Sequence, residues 1–233
     1  MATIYLIPCV LADDASQTIP TYVIDAVKKC HVIFAENERT ARRFLKMMDR
    51  SIVIDDYEWF AIHKAETEQL QQFTQKIKEE NTIVIISEAG CPGVADPGQI
   101  LIAAAQKLHC IIKPLVGPSS ILLALMASGM NGQQFEFVGY LPIENNDRAK
   151  KIKELELSSI KNNSTKIFIE TPYRNNQLVE TIIKSCSGNT KLCIAVNITA
   201  ANESIKTLSV KEWSQKKPEL HKMPAIFLLY GGN

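Results

Sequence analysis

The sequence has few features of secreted, membrane-spanning or zinc-binding proteins. Its six cysteines form no CxxC pair, and the closest two, Cys186 and Cys193, have no histidine pattern around them, so we expect no metal. No apolar run reaches the ~18 residues needed to cross a bilayer. The apolar start lacks a basic flank, unlike a secretory signal. These absences favour a cytoplasmic protein with free thiols and no membrane association.

An excess of charge of either sign is also missing. The 26 lysines and arginines nearly balance the 25 aspartates and glutamates, which gives a formal net charge of +1. The overall charge therefore predicts no strong non-specific attraction to nucleic acid, although it leaves room for local basic patches. Apolar residues make up 46 % of the 233, enough for a core, and the length suits two modest domains as well as one large one.

Short apolar runs alternate with amphipathic ones in the first half of the chain, which predicts parallel βαβ units. The run Thr82–Ile86 is almost entirely β-branched, as expected of a strand buried on both faces. The other predicted strands are 4–7, 32–35, 51–54 and 110–116, and the predicted helices are 20–29, 38–48, 67–80 and 99–108.

The character of the sequence changes near residues 114–118, where we place a boundary between domains 1–115 and 116–233. Beyond it, the periodicity predicts helices at 117–127, 144–157 and 175–186. The strands predicted in this half are 135–140, 166–170, 191–196, 205–209 and 225–230.

The loop after the strand Thr82–Ile86 is the most informative stretch. Three glycines and two prolines fall within residues 90–98, which forces turns and exposes backbone N–H and C=O groups. Ligands of open α/β sheets bind beyond the carboxyl ends of strands, where this loop lies. The alternative is a tight connection in which Asp96 caps the next helix. Neither a GxGxxG fingerprint nor a P-loop is present.

A second loop of this kind is Pro114–Ser120, between a predicted strand and a predicted helix. Ser119 either donates its hydroxyl to a ligand or caps the helix, and capping is the commoner role of such a serine.

The motifs ISEAGCPGVADPG (86–98), PLVGPSS (114–120) and FEFVGYLP (135–142), in this order and spacing, closely resemble those of the tetrapyrrole-methylase-like (class III) S-adenosylmethionine methyltransferases. The greatest similarity is to the branch that 2′-O-methylates a cytidine of small-subunit ribosomal RNA. Further matches are the AExxRxxR frame from Ala35 to Arg42, His63, and the ExPxR frame from Glu170 to Arg174.

The resemblance implies a homodimer of two-domain α/β subunits, with a mostly parallel sheet in the first domain and a mixed sheet in the second. The cofactor S-adenosylmethionine is expected in a cleft between the domains. The residues that the resemblance places at the cofactor are Pro8, Cys9, Ser87, Glu88, Ala89, Gly90, Val94, Ala95, Asp96, Ser119, Ser120, Tyr140, Leu141, Pro142, Met223, Pro224 and Ala225.

Methyl transfer from a sulfonium is an in-line displacement, so the protein mainly aligns donor and acceptor, and a base helps when the acceptor is a hydroxyl. The candidate bases are Glu36, Glu38, His63 and Glu170, each of which is alternatively a surface or salt-bridged residue. We select Glu36, Arg39, His63 and Arg174 as the catalytic set. Arg174 either pairs with Glu36 or Glu170, or holds a phosphate.

Two basic groups are candidates for binding ribosomal RNA or the small subunit. They are Arg39, Arg42, Arg43 and Lys46, and Arg148, Lys150, Lys151 and Lys153.

Departures from the ribosomal branch leave other functions open. The loop Pro8–Asp14 lacks the usual Gly-Asn pair, and Val196–Ala200 replaces a basic RELTK motif. The cofactor loops are kept while polar positions expected to face the substrate differ. The alternatives are therefore methylation of a small molecule such as a tetrapyrrole, and a binding protein that keeps the cofactor and has lost catalysis.

Overall fold

Two five-stranded sheets account for the strand pattern of the sequence. The structure, a computed structural model, describes residues 1–62, 66–79 and 81–232. The chain divides into two compact units, Met1–Ser119 and Ser120–Asn233, a few residues beyond the expected boundary at 115/116. Within the described residues, no helix combines the length and apolar character needed to cross a membrane.

All strand pairs of the first sheet are parallel, and the strand order is β3-β2-β4-β1-β5. Residues Ile83–Ile86 of the central strand are at most 1 % exposed, which explains the uninterrupted β-branched run. The strands are β1 (Thr3–Ile7), β2 (Val32–Ala35), β3 (Glu58–Ala61), β4 (Thr82–Ile86) and β5 (Ile111–Pro114), and the helices are α1 (Thr21–Val27), α2 (Glu38–Met48), α3 (Glu66–Lys78) and α4 (Gln99–Lys107).

The strand predicted at 51–54 is wrong. Ile52 is buried in the core beside α2, and Ile54 begins a 3₁₀ turn, Ile54–Asp56, instead of joining the sheet. The edge strand is β3, which pairs with β2 in the register Val32↔Glu58. Trp59 of β3 anchors the turn by donating its indole N–H to the Ile54 carbonyl at 3.0 Å. The apolar residues at 52 and 54 therefore serve packing, which periodicity alone does not distinguish from pairing.

The second sheet is mixed, as the resemblance implies. Its order is β6-β7-β10-β8-β9, in which β6 and β7 are parallel and the other pairs are antiparallel. The strands are β6 (Phe135–Tyr140), β7 (Thr165–Ile169), β8 (Lys191–Val196), β9 (Ser204–Ser209) and β10 (Ala225–Tyr230), and the helices are α5 (Ser120–Ser128), α6 (Asn145–Asn162), α7 (Asn175–Ser185) and α8 (Val210–Gln215).

Helix α8 was not predicted, although the sequence holds a signal for it. Ser209 accepts from the Glu212 N–H while the Glu212 carboxylate accepts from the Ser209 N–H, a capping box of the S-x-x-E type. The helix is six residues long, too short for a clear hydrophobic period.

Candidate functional site

The parallel strands of the first unit end at one edge of its sheet, so the loops that follow them come together there. The loop after β1 is joined to the loop after β4 by two backbone hydrogen bonds. The Cys9 N–H donates to the Gly90 carbonyl at 2.8 Å, and the Gly90 N–H donates to the Cys9 carbonyl at 3.1 Å. Burial, with Glu36 nearby, raises the pKa of the Cys9 thiol far above its usual range, so this cysteine packs as a neutral group.

Glu36 links the loop after β2 to the same place. Its backbone N–H donates to the Ile86 carbonyl at 3.0 Å, and its carboxylate accepts from the Glu88 N–H at 2.7 Å. The Glu88 carboxylate in turn accepts from the Asn37 amide at 3.3 Å and from the Thr40 hydroxyl at 3.0 Å. Since Asn37 is the N-cap of α2, the Glu88 charge lies at the positive end of that helix.

Asp96 completes a group of three carboxylates with Glu36 and Glu88. Burial, followed by repulsion from Glu36 and Glu88, raises the pKa of Asp96 to about 7. Asp96 is not the N-cap of the next helix, which was the other interpretation, because Gly98 occupies the position that precedes α4. No group of three or more potential metal ligands is arranged to hold an ion among the described residues. Excess negative charge of this kind fits a cationic ligand.

The turn through Gly90 keeps the backbone accessible and compact. Gly90 has φ 72°, a conformation that favours glycine, and an added Cβ would lie 3.4 Å from Leu11. The Ser87 hydroxyl donates to the Gly90 carbonyl at 3.1 Å, and the Cys91 thiol donates to the Pro118 carbonyl at 3.6 Å. Pro118, after β5, thus reaches the same edge as the loop after β4.

A cavity of about 330 Å³ opens beside Glu88. Its walls are the loop 9–13, the Thr40, Arg43 and Phe44 side of α2, and the pair Glu88–Ala89. At the rim, Arg43 donates to Asp13 at 3.0 Å, and both side chains are largely exposed. The cavity therefore combines an apolar wall, one carboxylate and an exposed ion pair.

The remaining candidates of the first unit differ in their surroundings. Arg39 is exposed and makes no ion pair within the described parts of the chain. Arg42 instead donates to Glu38 at 2.9 Å and stacks on Trp59, with 4.8 Å between the guanidinium carbon and the ring centroid. His63 lies outside the described residues. Sequence reasoning missed Thr40 and Asp13; the N-x-x-T capping pattern of Asn37–Thr40 was the available signal for the former.

In the second unit, Arg174 pairs with Glu170, one of the alternatives that the sequence left open. Arg174 donates to one Glu170 carboxylate oxygen through Nε at 3.0 Å and through Nη2 at 2.6 Å. The Glu170 side chain is 1 % exposed, and its other oxygen, Oε2, is buried without a hydrogen-bond partner within the described residues. Arg174 is thus the ion-pair partner of the buried Glu170 carboxylate, whose Oε1 also accepts from the Thr171 N–H at 2.6 Å.

The segment Met223–Ala225 is tied to the start of α7. The Asn175 amide donates to the Met223 carbonyl at 2.7 Å, and the Pro224 carbonyl accepts from the Asn197 N–H at 3.0 Å. Asn175 is fully buried and was not singled out in the sequence, because an asparagine at a helix start is indistinguishable there from an ordinary cap.

At the end of β6, Tyr140 is 61 % exposed and Leu141 is buried. The prediction that Arg148 belongs to an RNA-binding group is wrong. Arg148 is fully buried and donates to the Ile143 carbonyl and to the Asn145 side chain, so it is not available to a nucleic acid. Lys150 and Lys153 of the same helix are exposed.

The family model of the tetrapyrrole (corrin/porphyrin) methylases matches residues 17–213. The chain belongs to this family. Curated relatives of this tetrapyrrole methylase family member include the ribosomal RNA small subunit methyltransferase I of Vibrio cholerae, 25 % identical over 98 % of this chain and 77 % of the relative. The protein of the same name from Buchnera aphidicola subsp. Schizaphis graminum is 28 % identical over 98 % of this chain and 78 % of the relative.

Solved structures of the family share the fold. The methyltransferase CobJ has a TM-score of 0.62 at 16 % identity, covering 98 % of this chain and 93 % of that one. Uroporphyrin-III C-methyl transferase from Thermus thermophilus, complexed with S-adenyl homocysteine, has a TM-score of 0.60 at 13 % identity, covering 98 % and 97 %. The family member described here is an S-adenosylmethionine-dependent methyltransferase.

Proposed function

We propose that this methyltransferase methylates a ribose 2′-hydroxyl of small-subunit ribosomal RNA. The observation that carries the proposal is the carboxylate group Glu36, Glu88 and Asp96, of which Glu88 lines an open cavity of about 330 Å³. A cluster of negative charge suits a cationic methyl donor, and a carboxylate that titrates near neutral pH suits removal of a hydroxyl proton. The names of the curated relatives support RNA as the acceptor.

S-adenosylmethionine supplies an electrophilic methyl group on a positively charged sulfonium. The residues of the first unit that would hold it are those that the resemblance indicated: Pro8–Cys9, Ser87–Gly90, Val94–Asp96 and Ser119. The fit rests on charge. The pKa of Asp96 is raised by burial and by the Glu36 and Glu88 carboxylates, and no basic residue opposes that rise. The other proposed cofactor residues, Ser120, the 140–142 stretch and Met223–Ala225, belong to the second unit.

Asp96 is the better proton acceptor of the group. The Glu36 carboxylate is already engaged with the Glu88 N–H at 2.7 Å, and the Glu88 carboxylate is held by Asn37 and Thr40. Asp96, whose pKa is raised to about 7, is present in both protonation states at neutral pH. General bases work best when their pKa lies near the working pH.

Exposed basic residues beside the cavity would contact the phosphates of the acceptor. Arg39 has no ion pair in the described residues, and the Arg43–Asp13 pair is exposed enough to exchange its partner for a phosphate at small cost. Phosphate contacts of this kind give binding that weakens steeply with salt.

The test is transfer of labelled methyl groups from S-adenosylmethionine to small ribosomal subunits and to naked ribosomal RNA from cells that lack this protein. We expect label at a single ribose by nuclease mapping, and its loss with Asp96→Asn. Absence of label in a preparation that binds the cofactor by calorimetry contradicts the RNA proposal and directs the search to a small acceptor such as a tetrapyrrole.

A homodimer that acts in the cytoplasm is part of the same proposal. Its support is the resemblance, together with the exposed apolar side chains of α5: Leu122 is 52 % exposed and Met126 is 79 % exposed. Light scattering after gel filtration should give twice the monomer mass. A monomer mass at micromolar concentration contradicts it.

A further inference from the structure

A second cavity, of about 490 Å³, lies wholly within the second unit. One wall is the face of β8 and β9 that carries Ile194 and Leu208, and the opposite wall comes from Trp213 of α8 and the chain that follows it. The volume falls within the range of roughly 300–1,000 Å³ that is usual for small-ligand sites. Of the residues that the sequence assigned to the cofactor, Met223 is the one that lines this cavity.

The cavity is lined by more positive than negative charge. Lys206 pairs in register with Ile194, so it lies on the same face of the sheet, where it lines the cavity and stays exposed to solvent. Neither Lys206 nor Lys216 makes an ion pair within the described residues, and Lys217 is 3.9 Å from Glu180. The one carboxylate of the lining, Glu219, is already held by the Asn176 amide and the His221 N–H.

The turn between β8 and β9 adds free amide groups. Asn197 and Asn202 both line the cavity, and neither side chain makes a hydrogen bond in the part of the chain that the structure describes. The turn is strained, with φ 50° at Asn197 and φ 73° at the β-branched Thr199, and it is fixed by the Thr199 N–H donating to Glu203 at 2.7 Å. Strain of this kind is typical of functional segments.

We propose that this cavity binds one nucleotide of the acceptor RNA other than the methylated one, and this inference rests on the proposed function. The base contacts the apolar floor formed by Ile194, Leu208 and Trp213. Its polar edge hydrogen-bonds to the free amides, and its phosphate is held by Lys206 and Lys216. The cavity thereby fixes the position of the RNA relative to this unit.

A different explanation of Lys206 is protection of an edge strand, since a lysine on an edge strand prevents pairing with another chain. That role needs neither Lys216 nor the amides, and it predicts no effect of a nucleotide on this region. A second source of the same ligand chemistry is the cofactor, whose adenine would compete with any nucleotide for the cavity.

The experiment is calorimetric titration of the full chain with cytidine monophosphate and with a five-nucleotide RNA, both in saturating S-adenosylhomocysteine. We expect binding, weakened about fivefold or more by Lys206→Ala and by Lys216→Ala. Ser204→Phe, which fills the cavity without changing charge, should weaken binding more than tenfold. The matched control is Lys211→Ala, which removes a lysine of α8 outside the lining and should leave affinity within twofold.

Equal affinity of the lysine variants and the wild type overturns the inference, as does loss of nucleotide binding when S-adenosylhomocysteine is present. The two proposals fail separately. Lysine-dependent binding without methylation of ribosomal RNA would retain the nucleotide site and reject the proposed function. Methylation of ribosomal RNA by a protein that does not bind cytidine monophosphate, and whose activity the lysine substitutions leave unchanged, would retain the proposed function and reject the nucleotide site.

Discussion

The Glu36 carboxylate accepts a hydrogen bond from the backbone N–H of Glu88 at 2.7 Å, although the two residues are 52 positions apart in the sequence. The bond ties the end of β2 to the loop after β4. It also places a second carboxylate beside that of Glu88, and together with burial, the larger cause, repulsion from this pair raises the pKa of Asp96. Glu36 therefore has a positional role, through its oxygen, and an electrostatic role, through its charge.

Two substitutions should separate these roles. Glu36→Gln keeps an oxygen for the Glu88 N–H but removes the charge, so cofactor affinity should fall about tenfold with kcat little changed. Glu36→Ala also frees the loop, and kcat/KM should fall roughly 100-fold, since small displacements of aligned groups are costly. Calorimetry and initial rates measure the two effects.

Glu38→Gln is the matched control, because Glu38 lies two residues after Glu36, at the start of α2, and its carboxylate pairs with Arg42 instead of the loop after β4. Glu38→Gln should change neither the cofactor affinity nor kcat/KM by more than twofold. Equal behaviour of Glu36→Gln and Glu36→Ala would show that the hydrogen bond to Glu88 does not position the loop.

Cofactor affinity should depend on pH through Asp96. A cation next to Asp96 favours its ionised form, so the dissociation constant should fall about five- to tenfold between pH 6 and pH 8, around the pKa of about 7. Asp96→Asn should bind more weakly at pH 8 and lose the dependence. A wild-type affinity that is constant over this range would contradict the charge argument.

Asp96 should also destabilise the free protein at high pH. Its pKa is raised in the folded state, so the folded state holds the proton more tightly than the unfolded state, and the free energy of unfolding falls as the pH rises from about 4 to about 7. Asp96→Asn should increase that free energy by on the order of 2 kcal/mol at pH 8 and by little below pH 4. Urea denaturation at the two pH values measures this, and an equal effect at both would refute it.

Arg174→Ala should destabilise the second unit by about 2–4 kcal/mol, because it leaves the buried Glu170 charge without its partner. Adding Glu170→Gln to the same chain should recover part of the loss, since the unpaired charge is then gone. Lys151→Ala breaks the exposed pair with Glu154, 3.8 Å apart, and should cost less than about 0.5 kcal/mol. Similar losses for Arg174→Ala and Lys151→Ala in urea denaturation would contradict the argument.

The sequence predicted most of the fold because its strands are either fully buried or clearly bounded. The bounds of β2, β4, β6, β8 and β10 agree with the prediction, as do those of α2. The error at 51–54 arose because burial in a turn and burial in a strand select the same apolar residues. Helix α8 was missed because a six-residue helix depends on its cap, not on a periodic pattern.

The site was less predictable, since it depends on contacts between distant segments. The motifs placed Glu36 in one frame and Glu88 and Asp96 in another, and only the parallel sheet brings the two loops to one edge. Arg148 looked like one of several basic residues in a charged helix, but packing buries it completely. Local sequence does not distinguish a buried arginine from an exposed one when its partners are a carbonyl and an amide.

The bridge between Cys9 and Gly90 consists of main-chain atoms alone. A contact of this kind survives a change of side chain at residue 9, provided that the new side chain fits a nearly closed space. The attachment of the first loop to the loop after β4 therefore does not depend on hydrogen bonds from the side chains of the first loop, and it forms here without the Gly-Asn pair.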